Sequence, residues 1–321
     1  MTENVNEIML KMQSPPHVRA KHTTQLLMLQ VVIALLPAVF AAYYYFGNAA
    51  LYHIGLTAGS AVLIEAAYQL SLKKPLTIFD GSALITGILI AFNLPPSAPY
   101  WIGPVGALIA ILIVKQVFGG LGHNFVNPAL AARALMLASW PREMVAFVSP
   151  FDAVSTVTPL AVASGESMGT WPSLMQLFLG EVGGCIGETS ALALMLGGIF
   201  LIFRGVIDYR IPAGMLGTMF LMGAFFAPES GFDAGLYHIL AGGAMLGAFF
   251  MATDYVTSPI TSRGRWIYGI AIGFIAMLIR LWGIYPEGVS FAILIMNVAT
   301  PLIERFTLPR KFGEVTQRGK A

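Results

Sequence analysis

From Gln25 to Phe46 the chain carries no charged side chain, and further apolar stretches follow at roughly 50–71, 77–93, 100–118, 125–140, 181–203, 209–227, 234–252, 266–283 and 287–304. Each is close to the ~20 residues an α-helix needs to cross the hydrocarbon layer of a bilayer. Composition agrees, with 57% of residues hydrophobic and 11% charged, whereas soluble domains carry about a quarter charged. So few charges cannot cover a water-facing surface of this size, so most of the surface faces lipid. The fold class expected is all-α integral membrane, with about ten transmembrane helices. No basic block or nucleic-acid motif is present, which excludes a nucleic-acid partner. The single cysteine, Cys185, rules out an intramolecular disulfide.

The distribution of charge orients the spans. With the N-terminus inside, the cytoplasmic segments hold 15 of the 18 Lys and Arg residues. The exceptions are Arg142 in an external loop, Arg280 near the outer end of the ninth span and Arg133 within the fifth. That bias fits both termini in the cytoplasm. Residues 1–24 form a cytoplasmic tail, and the apolar run behind them is too long and too far from the start for a cleaved signal peptide. The one long connection, 141–180, is extracytoplasmic and separates membrane repeat 1 (25–140) from membrane repeat 2 (181–304), with 305–321 a second cytoplasmic tail. Two sets of five spans must have opposite orientations, as in inverted repeats. A shift of 165 residues aligns Trp101-Ile102 with Trp266-Ile267 and Lys115 with Arg280.

Two polar stretches stand out. In the long loop, Asp152, Ser155, Thr156 and Thr158 precede Pro159; such a run before proline commonly makes a turn. Ahead of the fifth span, Gly119, Gly120 and Gly122 lead into Asn124, Asn127 and Pro128. Glycines before a helix start allow close backbone approach to a ligand, and the helix N-terminus favours a phosphate or a polarised oxygen.

The Asp-x-x-Ser-x-x-Thr pattern resembles the site at which a flavin transferase attaches FMN through a phosphoester to the final threonine, here Thr158. The usual middle residues are replaced by Thr156 and Val157, and Thr156 is a second candidate acceptor. The acceptor hydroxyl is expected to be reachable from water, because the transferase is a separate protein. The Gly119–Asn127 string, Asp80-Gly81-Ser82-Ala83 and Asn93-Leu94-Pro95-Pro96 resemble the superfamily of the D subunit of Rnf complexes and the B subunit of the sodium-translocating NADH:quinone oxidoreductase. The short tail resembles the Rnf branch. The resemblance spans nearly the whole chain. It implies a urea-transporter-like inverted-repeat fold in a bacterial or archaeal cytoplasmic membrane, covalent FMN on Thr158 and a second, noncovalent flavin, riboflavin. It also implies partner subunits carrying ferredoxin and NAD sites, coupling to Na+ or H+ translocation, and no complete activity for this chain alone. A solute channel or carrier and a structural scaffold are the competing readings.

A few polar residues fall inside the spans. Arg133, near mid-membrane, costs at least ~2.5 kcal/mol unless compensated. It is either a counter-charge for a flavin or a structural arginine on the free carbonyls of a broken helix. Glu65 in the second span is either part of an ion path or paired with a polar neighbour. Asp80 and Asp254 lie at the cytoplasmic ends of spans, and Asp254 offers oxygens suited to a hard cation.

Overall fold

The computed structural model describes residues 23–308 except Ala153, 164–170, Glu229 and 284–286, so most of both expected tails lies outside the described residues. The described residues form helices and loops, with one isolated antiparallel bridge between Val148 and Ser155. Four helices are long and apolar enough to cross a membrane: α1 (Thr24–Phe46), α2 (Asn48–Ser71), α10 (Ser262–Trp282) and α11 (Val289–Thr307). Between them come the shorter apolar helices α3 (Ser82–Phe92), α4 (Ile102–Gln116), α5 (Pro128–Ser139), α6 (Ala191–Phe203) and α7 (Arg210–Phe226). A bent pair, α8 (Phe232–Leu240) and α9 (Ala244–Met251), turns by 69° at its break.

Helix starts follow local chemistry. Asn127 accepts from the N–H groups of Ala129 and Leu130 at the head of α5, and Pro128 supplies a ring that needs no donor there. Ser190 caps α6 and Thr261 caps α10 in the same way. The stretch expected as a sixth span from 181 is helical only from Ala191; residues 184–186 and their neighbours instead run against the end of α3.

The two halves repeat one packing pattern. In the first, α2 lies against α3 and α4; in the second, α7 lies against α8 and α10. The halves meet where α1 touches α6 and where α5 touches α11. The helices approach closely where side chains are smallest: a Cβ on Gly87 would stand 2.5 Å from the Ala58 Cα, and one on Gly197 would stand 2.0 Å from the Ala34 carbonyl oxygen. Large side chains on the outside, including Phe40, Leu63, Phe203 and Phe225, are exposed. That apolar exterior is what a lipid-facing protein presents.

Lys115, counted among the cytoplasmic-side charges at the end of the fourth stretch, is enclosed by protein. It sits in a π-helical turn at the end of α4 and is buried, where its Nζ donates to Ser82 Oγ at 2.6 Å and pairs with Glu65 Oε1 at 2.7 Å. The wide turns at its helix end bring a backbone N–H from Gly120 onto the Lys115 carbonyl at 3.0 Å.

Candidate functional site

At the end of α1 where Tyr45 donates to the Leu179 carbonyl, α3, α5, α11 and the segment before α6 converge on Arg133. The last carbonyls of α3 have no partner within their helix. Two carbonyls in this stretch are satisfied from outside, as Gly187 N–H reaches the Phe92 oxygen at 3.0 Å and Ile186 N–H reaches Leu94 at 2.9 Å. Gly187 permits this, since a Cβ would fall 2.1 Å from the Phe92 ring. The next residue, Glu188, is thereby set against Arg133.

The Arg133 guanidinium is nearly saturated. Its Nη1 donates to Asn93 Oδ1 at 2.6 Å, Glu188 Oε1 at 3.0 Å and Ser290 Oγ at 3.0 Å, and its Nη2 donates to Glu287. Cys185 Sγ lies 3.9 Å from Nη2. Arg133 therefore contacts side-chain carboxylates and an amide, and nothing in the local sequence points to Glu188 or Glu287 as its partners. Ligand atoms of Cys185, Glu188 and Glu287 lie within 4.8 Å of one another, but the guanidinium already supplies the cation among them.

The two carboxylates also line a narrow cleft, about 330 Å³ counted to its open mouth but with only about 10 Å³ of room for water, whose wall includes Thr158, Pro159, Thr189 and Gly242. Thr158 is 7% exposed, which corrects the expectation of a hydroxyl open to water. Its Oγ1 accepts from the Ala161 N–H at 3.3 Å, starting the short helix Pro159–Ala163. Before it, the chain folds back on itself: Ser149 N–H reaches the Val154 carbonyl at 2.7 Å and Thr156 N–H reaches Phe147 at 3.1 Å. Asp152, Ser155 and Val157 stay exposed on this fold, while Thr156 is half-buried with its methyl against Gly183.

A second cavity lies toward the other end of α1. It measures about 840 Å³ counted to its open mouth and is lined by Met28, Ser82, Lys115, Asn124, Asn127 and Asp254 among others. Asn127 Nδ2 donates to the Met251 carbonyl at the end of α9 (3.2 Å), so the two halves are tied here. Asn124 Nδ2 donates to the Val126 carbonyl at 3.1 Å. The glycines play another part than the one expected. Gly119, Gly120 and Gly122 have φ of 118°, 95° and 93° and shape the turn, but Leu121, Asn124 and Asn127 are the loop residues that reach the cavity. The α5 N-terminus is closed by Asn127 itself, so it offers no free N–H cluster to a phosphate.

Glu65 is paired, as one of its two sequence readings has it, with Lys115 at 2.7 Å and with Gln116 Nε2 at 2.6 Å. Asp80 Oδ1 accepts from the N–H and the hydroxyl of Ser82, fixing the start of α3. Asp254 Oδ2 accepts from the Thr257 hydroxyl at 3.3 Å.

With this geometry established, comparison with known proteins is informative. The sequence model described as the NQR2, RnfD, RnfE family matches residues 11–313. The chain is 54% identical over 313 residues to the D subunit of the Na(+)-translocating ferredoxin:NAD(+) oxidoreductase complex of Acetobacterium woodii, covering 96% of this chain and 97% of that one. It is 42% identical to the D subunit of the proton-translocating ferredoxin:NAD(+) oxidoreductase complex of Clostridium ljungdahlii, over 94% of this chain and 95% of the relative. It is 36% identical to the D subunit of the ion-translocating oxidoreductase complex of Ectopseudomonas mendocina, over 93% and 94%.

Proposed function

The chain belongs to the NQR2, RnfD, RnfE family, and on that premise we propose that it is a membrane redox subunit carrying FMN on Thr158, within a complex that couples ferredoxin:NAD electron transfer to movement of Na+ or H+. The relatives' names, which cover nearly all of both chains, support the complex and its reaction. One structural observation carries the flavin reading: the Thr158 side chain lies on the wall of a cavity shared with Glu188 and Glu287.

The residues present supply the acceptor for a phosphoester-linked flavin, and the narrow cleft beside Thr158 must widen to admit the group. Thr158 supplies the hydroxyl, and the exposed Asp152 and Ser155 give a transferase its grip. Burial of Thr158 then means that attachment occurs while this segment is away from the membrane part, or on a segment that swings out. Bound there, the flavin would supply one- and two-electron transfer. The chain's own contribution is electrostatic: the one Arg133 guanidinium is shared between the Glu188 and Glu287 carboxylates beside the cleft, an arrangement that can hold a proton on one of the two acids. The second cavity suits a noncovalent flavin such as riboflavin, with Asn124, Asn127 and Ser82 as neutral partners and Lys115 as a cation.

The apolar helices, counting the bent pair as one, fall in order on the ten stretches read from the sequence. The repeated packing of α2–α4 and α7–α10 supports two five-span repeats, and the bias of Lys and Arg supports both termini in the cytoplasm. On this reading the Thr158 cavity faces outward and the Asn127 cavity inward.

Reconstitution tests the function. Proteoliposomes holding the wild-type complex should oxidise reduced ferredoxin with NAD and take up the coupling ion, and Thr158→Ala should lose both. An assembled Thr158→Ala complex that keeps both activities would remove this residue from the electron path.

A further inference from the structure

A third cavity, about 550 Å³ counted to its open mouth with about 70 Å³ of room for water, opens beside Thr158's segment and is lined by Leu160, Trp171, Tyr237, His238 and Arg280. Arg280, in the last turn of α10, is 5% exposed. Its Nη1 and Nη2 donate to the carbonyls of His238 (2.5 Å) and Ala241 (3.1 Å), at the end of α8 where the α8–α9 pair breaks. No carboxylate pairs with it within 4.0 Å among the described residues. Its Nε has no hydrogen-bond partner, and neither does His238 Nδ1.

The inverted counterpart sharpens the point. Lys115, 165 positions earlier, holds the same place at the start of α3 that Arg280 holds before α9, and it has Glu65 at 2.7 Å as its counter-ion. Among the described residues, the second half keeps the cation without an acid at ion-pair distance. Carbonyls at a helix C-terminus offset part of a buried positive charge. They leave the Arg280 Nε–H and His238 Nδ1 buried without hydrogen-bond partners, and buried polar atoms without partners are costly.

We propose that Arg280 and His238 form a binding pocket for a phosphate ester. A guanidinium fork is the side chain best matched to phosphate oxygens, and two sources of that group are adjacent. One is the phosphoester on Thr158, since Leu160 lines both this cavity and that of Thr158; this source rests on the function proposed above. The other is a phospholipid headgroup, since exposed Phe226 and Trp282 meet edge to face on the neighbouring surface, as aromatic residues do at a membrane interface. Gly242, at φ 64°, keeps the wall open: a Cβ there would stand 3.5 Å from Arg280 Nη2 and 2.6 Å from Leu160 Cδ1.

The test uses the whole complex purified with Arg280→Gln, Arg280→Lys or Thr158→Ala, read for covalent flavin fluorescence and for phosphatidylglycerol retained after detergent washing. Loss of flavin fluorescence in Arg280→Gln, restored in Arg280→Lys, with lipid unchanged, assigns the pocket to the Thr158 ester. Loss of phosphatidylglycerol in Arg280→Gln, with retention in Thr158→Ala, assigns it to a headgroup. A folded Arg280→Gln complex unchanged in both overturns the proposal and leaves Arg280 as a cap on α8. Should that variant not fold, His238→Phe, which leaves the capping carbonyls in place, is read the same way. A dark wild-type band would end the flavin reading while leaving the lipid arm to decide this one.

Discussion

Glu188 Oε1 stands 3.0 Å from Arg133 Nη1 while the same side chain lines the cavity of Thr158. A buried charge pair thus forms the floor of the proposed flavin site. Both members are nearly inaccessible, with side-chain exposures of 3% for Glu188 and 8% for Arg133.

Removing one partner of such a pair leaves an uncompensated charge, at a cost of about 3–5 kcal/mol. Arg133→Ala should therefore lower the thermal unfolding temperature of the detergent-solubilised protein sharply. Arg133→Lys should recover little, because a single ammonium cannot reach Asn93, Glu188, Ser290 and Glu287 together. An Arg133→Lys protein as stable as wild type would contradict the described network.

Lys115 and Glu65 invite a double-mutant cycle. Lys115→Met and Glu65→Gln should each destabilise, and the double variant should be more stable than the two single effects added together. Additivity within about 0.5 kcal/mol would show that the pair is not coupled. Retention of a noncovalent flavin can be followed on the same samples, since Lys115 lines the Asn127 cavity.

In these two networks the local part was legible in the sequence and the remote part was not. Ten apolar stretches, the Asn127-Pro128 helix start and the polar Thr158 loop could be read from neighbouring residues. The partners of Arg133 lie 55 and 154 residues away, and no periodicity within one span reports such a pairing. Glu188 fell inside the sixth apolar stretch because nothing local signals that 184–187 stays outside a helix to satisfy α3. The burial of Thr158 was likewise hidden, since the following Leu160 packs on Leu177, Tyr237 and Ala241 from distant parts of the chain. The glycine loop misled in a different way. Its positive φ angles were foreseeable, but which of its residues reach the cavity depends on the far half of the chain.

Between α6 and α7, outside the spans, Asp208 accepts from Arg210 and Arg265, each at 2.6 Å. Burial alone would raise its carboxyl, but the Arg210 N–H and the two guanidinium groups outweigh that and hold it below its ordinary value. A depressed carboxyl adds stability above its unfolded-state pKa and loses it as pH falls through the lower, folded value. Unfolding temperature should thus decline in the acid range below pH ~4, and Asp208→Asn should flatten that part of the profile. An Asp208→Asn profile that follows wild type through the acid range would assign the decline to other groups.

The central claim is a flavin on Thr158, and denaturing gel electrophoresis tests it most directly. The chain is co-expressed with a flavin transferase, beside Thr158→Ala and Thr156→Ala, and the gel is scanned for flavin fluorescence before staining. The account predicts a fluorescent wild-type band that persists in Thr156→Ala and vanishes in Thr158→Ala. A wild-type band that stays dark beside an active transferase would contradict it.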